Sequence, residues 1–240
     1  MNKDASHRTS KAVPRPGARG RPQKRAEQRR AVDTRRAILD AALLEFAEKG
    51  FDAASIRAIA HRTRLKHPLI TYHFRSKDIL WRATAEYAFG QISEEWDRLD
   101  KSAAGLSPLD RLRAEYRTVF KYTVAFPEFH RFMRQECSTR NPRLKWAANT
   151  VVMPLINRLV PQIAALQKSG HLPKIKPIIF HYMMISLTST LSEFGPEMGV
   201  TGKLAADDPG VVQSYWRTVE ALVFDNSRST RISTKERARL

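Results

Sequence analysis

The chain of 240 residues is expected to be all-α, with a small three-helix head near its N-terminus and a larger helical body. Three observations predict this. Apolar residues recur at helical spacing from residue 38 onward. Prolines stand one after another at plausible first-helical positions, behind good capping residues. No stretch alternates apolar and polar residues as a half-buried strand would, and no repeat is visible.

Residues 1–32 are rich in Arg, Lys, Pro, Ala and Gly, and are expected to form a disordered basic arm. Asp33 or Thr34 is expected to cap the first long helix. Ile38, Ala42 and Phe46 form one apolar line, widened by Leu39 and Leu43, and Gly50 suits the left-handed position after the helix. Phe51 is expected to plug the head. Ser55 is a good N-cap for a short second helix with Ile56, Ile59 and Ala60 on its inner face. Thr63, Arg64 and Leu65 form a turn, with Leu65 inward. Pro68 opens a third helix, in which Ile70 and Phe74 share one buried face, spaced i and i+4. His67, Leu69, Thr71, Tyr72 and His73 are left on the other faces. Two short helices with this turn and an outward polar and aromatic set read as a helix-turn-helix.

Ser76 is expected to cap a fourth helix that runs to about Asp100 and joins head to body. Ser107-Pro108, Pro127, Asn141-Pro142, Lys176-Pro177 and Pro209 mark further helix starts. Pro154 and Pro161 should kink or split the segment between 142 and 168. Glu193 to Asp208, with Gly195, Pro196, Gly199 and Gly202, reads as a loop. Residues 225–240 read as a mobile basic tail. The domain boundaries are thus 1–32, 33–80, 81–224 and 225–240.

The formal net charge is +18, and its placement is more informative than its size. Residues 1–32 carry +8, 33–82 carry +4, 83–224 carry +3 and 225–240 carry +3. A polyanion is the natural partner of the arm and head, and the nearly balanced body is that of an ordinary globular domain. Cys137 is the only cysteine, so no internal disulfide forms, and a cytoplasmic location is expected. The most apolar run, Ile178 to Leu191, is too short to span a membrane and contains His181. There is no Walker loop, no Gly-x-Ser-x-Gly, no Rossmann fingerprint and no metal-type His/Cys spacing. An enzyme is therefore not expected, and no cofactor or metal is implied. Arg19-Gly20-Arg21-Pro22 is similar to an AT-hook core, so Arg19 and Arg21 are candidates for a narrow minor groove.

The runs RRAILDAALLEFAEKGFDAASIRAIA and Leu65-Lys66-His67-Pro68-Leu69-Ile70-Thr71-Tyr72-His73-Phe74, followed by Ser76-Lys77, resemble the DNA-binding head of TetR-type transcriptional regulators over about residues 33–85. The resemblance implies a homodimer on double-stranded DNA with the third helix in the major groove. It assigns base-edge or nearby contacts to His67, Pro68, Leu69, Thr71 and Tyr72, and phosphate contacts fit Ser55, Tyr72, His73 and Lys77. This chain departs from the common pattern at Arg64, where Gly is usual, at Lys66, where Ser is common, and at Thr71. Arg64 is expected to need an unusual backbone conformation. Arg62, Arg64 and Lys66 would add phosphate attraction. The resemblance also implies a body that binds a small molecule and then releases DNA. Trp96, Tyr116, Phe120, Phe129, Met133 and Met183 are the candidate lining, suited to an apolar effector. The helices at 177–194 and 209–223 are the candidate dimer interface. A nonspecific architectural DNA binder that relies on its basic tails is the alternative.

Overall fold

Capping residues and prolines set most of the helix starts in the computed structural model, which describes residues 20–102, 105–137 and 141–225, the side chains of 20–23 and 137 excepted. Every element among the described residues is helical. In chain order they are α1 (Gly20–Ala53), α2 (Ile56–Thr63), α3 (His67–His73), α4 (Lys77–Ser102), α5 (Pro108–Ala125), α6 (Pro127–Cys137), α7 (Pro142–Ala147), a π turn (Ala148–Val152), α8 (Met153–Lys168), α9 (Pro177–Thr201) and α10 (Pro209–Val223). The chain divides into two units, residues 1–37 and 38–240. In the first, residues 24–33 are helical with exposed side chains, so this stretch of helix buries no face of its own.

Helix α1 starts earlier than its sequence suggests. Asp33 and Thr34 stand inside it rather than at its cap, and the expected disordered arm is helical from Gly20 onward. The run from Ala26 to Arg36 contains no Gly or Pro, so nothing in it stops a helix already under way. Arg19, the other residues up to 19 and the tail beyond Asp225 lie outside the described residues, as does the side chain of Arg21.

In the second unit, Ile38, Ala42, Phe46, Ile59, Ile70 and Phe74 form the buried centre of a three-helix head. Gly50 breaks α1 with φ 72, the conformation expected of it. Phe51 then folds back onto Phe46, ring on ring at 6.1 Å. Ser76 Oγ accepts from the Ile79 amide at 3.1 Å and so starts α4. One face of α4 buries Leu80, Trp81, Ala88, Phe89, Ile92 and Trp96.

The body follows its caps. Ser107 Oγ accepts from the Asp110 amide, Asn141 Oδ1 from Leu144, and Asp208 Oδ1 from Gly210 and Val211. The two doubtful prolines behave differently. Pro154 follows the π turn and sits in the first turn of α8, where the break in regular hydrogen-bond register accommodates its missing N–H. Pro161 is carried inside α8. The segment 142–168 is therefore two helices, and the body has seven helices where six were expected.

The expected loop from Glu193 is instead the last two turns of α9, with Pro196 inside the helix. The amides of Gly202 and Leu204 both donate to Met198 O, which closes the helix end. The segment after it returns against Gly195, where an added Cβ would come within 3.1 Å of Ala206 Cβ. Packing of α9 on α5, α6 and α8 outweighs the cost of the internal proline.

An ion cluster around the buried Glu115 ties α4, α5 and α8 together. The Arg158 guanidinium donates to Glu115 at 2.8 Å, Asp97 at 3.2 Å and Asp100 at 3.0 Å, and lies over the Trp96 ring. Glu115, almost wholly buried, also accepts from Gln162 at 2.8 Å. With two donors on a buried carboxylate, the desolvation cost of the charge is largely offset.

Candidate nucleic-acid interface

The reading surface is built by the geometry between α2 and α3. Ser55 Oγ accepts from the Arg57 amide at 3.2 Å and caps α2. At the other end Arg64 takes φ 55, and its amide donates to His61 O at 3.2 Å. The Leu65 amide donates to Ala60 O at 3.1 Å. This left-handed residue turns the chain tightly enough for α3 to begin three residues later, at His67. In α3, Ile70 and Phe74 are fully buried and fix the helix by one face. The opposite face carries His67, Pro68, Leu69, Thr71 and Tyr72, all exposed. Tyr72 is the extreme case, with 81% of its surface free. Thr71 Oγ1 donates back to His67 O at 3.3 Å, which leaves its methyl outward. His73 is half-buried and meets the Tyr72 ring edge-on at 5.6 Å.

Two charged groups of the head turn out differently from the sequence reading. Lys77 Nζ donates to Asp52 O at 3.0 Å and Ala54 O at 3.2 Å, and stands over the Phe51 ring. Its ammonium holds the α1–α2 junction, which leaves only the backbone amide at the start of α4 for a phosphate. Arg62 donates to Glu45 at 3.2 Å and pairs with Glu48, so its charge is answered inside the head and adds little phosphate attraction. Arg64 and Lys66 stay exposed.

Glu45 is the residue that sequence reasoning missed. It is 3% exposed, accepts from the Ser55 amide at 3.3 Å and from Arg62 Nε, and so holds both ends of α2. A signal was present, because Glu45 falls seven residues after Ile38 on the apolar line of α1. Arg143 was also missed. Its guanidinium sits 3.8 Å from the Phe51 ring centre and donates to the buried Glu136 at 3.0 Å. Phe132 of α6 packs on both Phe46 and Trp81. Head and body are thus joined through α4, α6 and α7.

The six residues expected to line an effector pocket do not share one surface. Trp96 Nε1 donates to Glu115 O at 2.9 Å. Tyr116 is fully buried, with its hydroxyl 3.0 Å from His181 Nδ1. Phe120 stacks between Tyr215 and Trp216, and Phe129 packs edge-on against Phe89. Each has its partners already, as core aromatics do. Met133 is half-buried against this core, whereas Met183 is 50% exposed on the outer face of α9. A half-open cleft of about 400 Å³ lies elsewhere, between the start of α6, the last turns of α9 and the segment that follows α9.

Two short helices on a left-handed turn, with a buried inner face and an outward face of short polar and aromatic groups, define a helix-turn-helix DNA-binding protein. Residues 38–84 match the model of bacterial regulatory proteins of the tetR family. The transcriptional regulator RutR of Escherichia coli strain K12 is 26% identical over 202 residues, 83% of this chain and 93% of its own length. The fold is similar to that of a TetR family transcription regulator from Marinobacter aquaeolei VT8, with TM-score 0.61, 20% identity and coverage of 82% and 98% of the two chains. It is also similar to that of AibR, solved with isovaleryl coenzyme A and operator DNA, with TM-score 0.63, 14% identity and coverage of 80% and 98%. Residues 38–84 thus carry a tetR-family DNA-binding region, and the chain as a whole is similar to tetR-family transcriptional regulators. No described helix is long and apolar enough to cross a membrane.

Proposed function

We propose that this protein is a homodimeric repressor that holds a palindromic operator through α3 and releases it when the body binds a small apolar molecule. The observation that carries the reading is the split of α3 and its cap into a fully buried face, Ile70 and Phe74, and an exposed one. His67 is placed to offer a donor or acceptor to a purine edge. Pro68, Leu69 and the Thr71 methyl offer apolar contact to a thymine methyl. Tyr72, His73, Lys66 and the amides near Ser55 and Lys77 serve phosphates. Arg19 and Arg21 would add minor-groove contacts from the arm.

The dimer is supported by an apolar face that the single chain leaves in water. Ile178, Ile179, Tyr182 and Met183 lie within two turns of α9 and are all exposed, as are Phe194 further along α9 and Leu222 on α10, and clustered apolar groups in water mark interaction surfaces. A two-fold pair of heads would read half-sites a helical turn or more apart.

Selection of bound duplexes from a random pool at physiological salt tests this. An inverted repeat is expected. Enrichment of A·T-rich DNA without a repeat would overturn the reading in favour of a nonspecific binder working through its basic arm.

A further inference from the structure

The half-open cleft of about 400 Å³ is within the range of small-ligand sites. Its walls are Val124, Pro127, Leu191, Pro196, Leu204 and Ala206, all apolar. Its floor is α9 at Gly199, one turn beyond Gly195, against which Ala206 closes. At Gly199 an added Cβ would meet only Leu204 O, at 3.9 Å. The polar groups are confined to Arg131, Ser192, Glu193 and Asp207. Glu193 is already answered, since it pairs with Arg134 and accepts from His130 Nε2 at 3.1 Å. Burial and the neighbouring Arg134 cation hold His130 below the ordinary histidine value, so its ring brings no charge of its own. Arg131 and Asp207 are both exposed. The rim therefore offers one cation and one solvated anion around an apolar trough.

We propose that this cleft binds a small amphiphilic carboxylate, with its hydrocarbon body along the α9 glycines and its carboxylate on Arg131. The guanidinium supplies a planar pair of donors for that group, and the trough excludes water from the apolar part. Such a ligand would touch α6 through Pro127 and Arg131, which are spaced i and i+4. The same helix presses Phe132 on Phe46 and Trp81. The effect on DNA rests on the effector-responsive reading above, whereas the binding itself does not.

The test uses the full chain and three probes of equal length, sodium decanoate, 1-decanol and decylamine, titrated by calorimetry. Decanoate should bind about tenfold tighter than the alcohol, the size of a hydrogen bond to a charged group, and decylamine weakest. R131Q should erase the preference for the acid and leave the alcohol unchanged. G199L, which puts a side chain into the trough, should abolish binding of all three. Undiminished decanoate binding to G199L, a preference for the amine, or no binding of any probe would overturn the proposal. Operator affinity is measured separately. Decanoate bound in the cleft without loss of operator affinity would leave the site standing and sink the effector reading. Release of operator by decanoate from both wild type and G199L would do the reverse.

Discussion

Arg64 shows how much one residue's backbone can ask of a protein. It holds φ 55, a conformation that glycine adopts freely and arginine does not. R64G should raise stability by about 0.5–1 kcal/mol, read as a higher denaturant midpoint. The same change removes an exposed cation from the DNA-facing side, so affinity for any duplex should fall and the salt dependence should flatten by about one counterion. An unchanged or lower midpoint would mean that the arginine side chain stabilises the turn by more than its backbone costs. This strain was legible in the sequence, because the turn is set by the spacing of α2 and α3 and the usual residue there is glycine. The role of Lys77 was not. Its partners are the carbonyls of Asp52 and Ala54, more than twenty residues away, and only the folded α1–α2 junction brings them under its ammonium.

Helix α2 has eight residues, too few to be stable alone, and it is held from outside. Glu45 reaches the Ser55 amide at its start and Arg62 near its end. E45A should cost about 1–2 kcal/mol, since it leaves the part-buried Ser55 amide and the Nε of Arg62 without their acceptor. E48Q, which touches the same arginine from an exposed position, should cost under about 0.5 kcal/mol. Equal costs in thermal melts would show that Glu45 acts only as one more surface partner. At this scale the sequence told most where a cap and a proline stood together, as at Ser107-Pro108 and Asn141-Pro142. It misled where composition pointed to a loop. The glycines and proline after Glu193 look like punctuation, but Gly195 admits the returning chain and α9 runs on to Thr201. The start of α1 was missed for the opposite reason. A basic segment with no apolar face still forms a helix when it extends one already held by Ile38, Ala42 and Phe46.

Across the whole molecule the buried polar groups link stability to pH. His181 is buried beside Tyr116, and burial pushes it down to about 4. Burial, followed by the nearby Glu115 carboxylate, pushes the Tyr116 phenol up, out of reach of titration near neutrality. The unfolded chain takes up a proton on His181 near pH 6.5, and the folded chain resists it until about pH 4. Stability is therefore full above pH 6.5 and falls as pH drops through this window, by about 2 kcal/mol at pH 5 from this residue. His130, also held low, pulls the same way. Denaturant midpoints at pH 7.5 and 5 should differ less in H181Q than in wild type. Parallel losses in the two proteins would show that carboxylates, not this histidine, set the acid limit. The resemblance to tetR-type heads and the helix-turn-helix itself were visible from the chain alone, because the head's signals are local. The body's aromatic residues carried no such signal. Helical spacing alone does not tell a ring that lines a cavity from one that stacks on Trp216 or accepts a cation from Arg158.

The π turn at Ala148–Val152 acts as a vernier within the body. A helix turns about 100° per residue, so one surplus residue rotates everything downstream by that angle without moving it far along the axis. Trp146 upstream faces Trp81 of α4, while Ile156, Leu159 and Ile163 downstream are buried. A single-residue deletion here would restore a regular spiral, and it would also swing Leu159 out of the core and bring the Pro154 ring against the preceding turn. The surplus residue is thus a setting that aligns two faces of one rod, and no substitution of side chains can reproduce it.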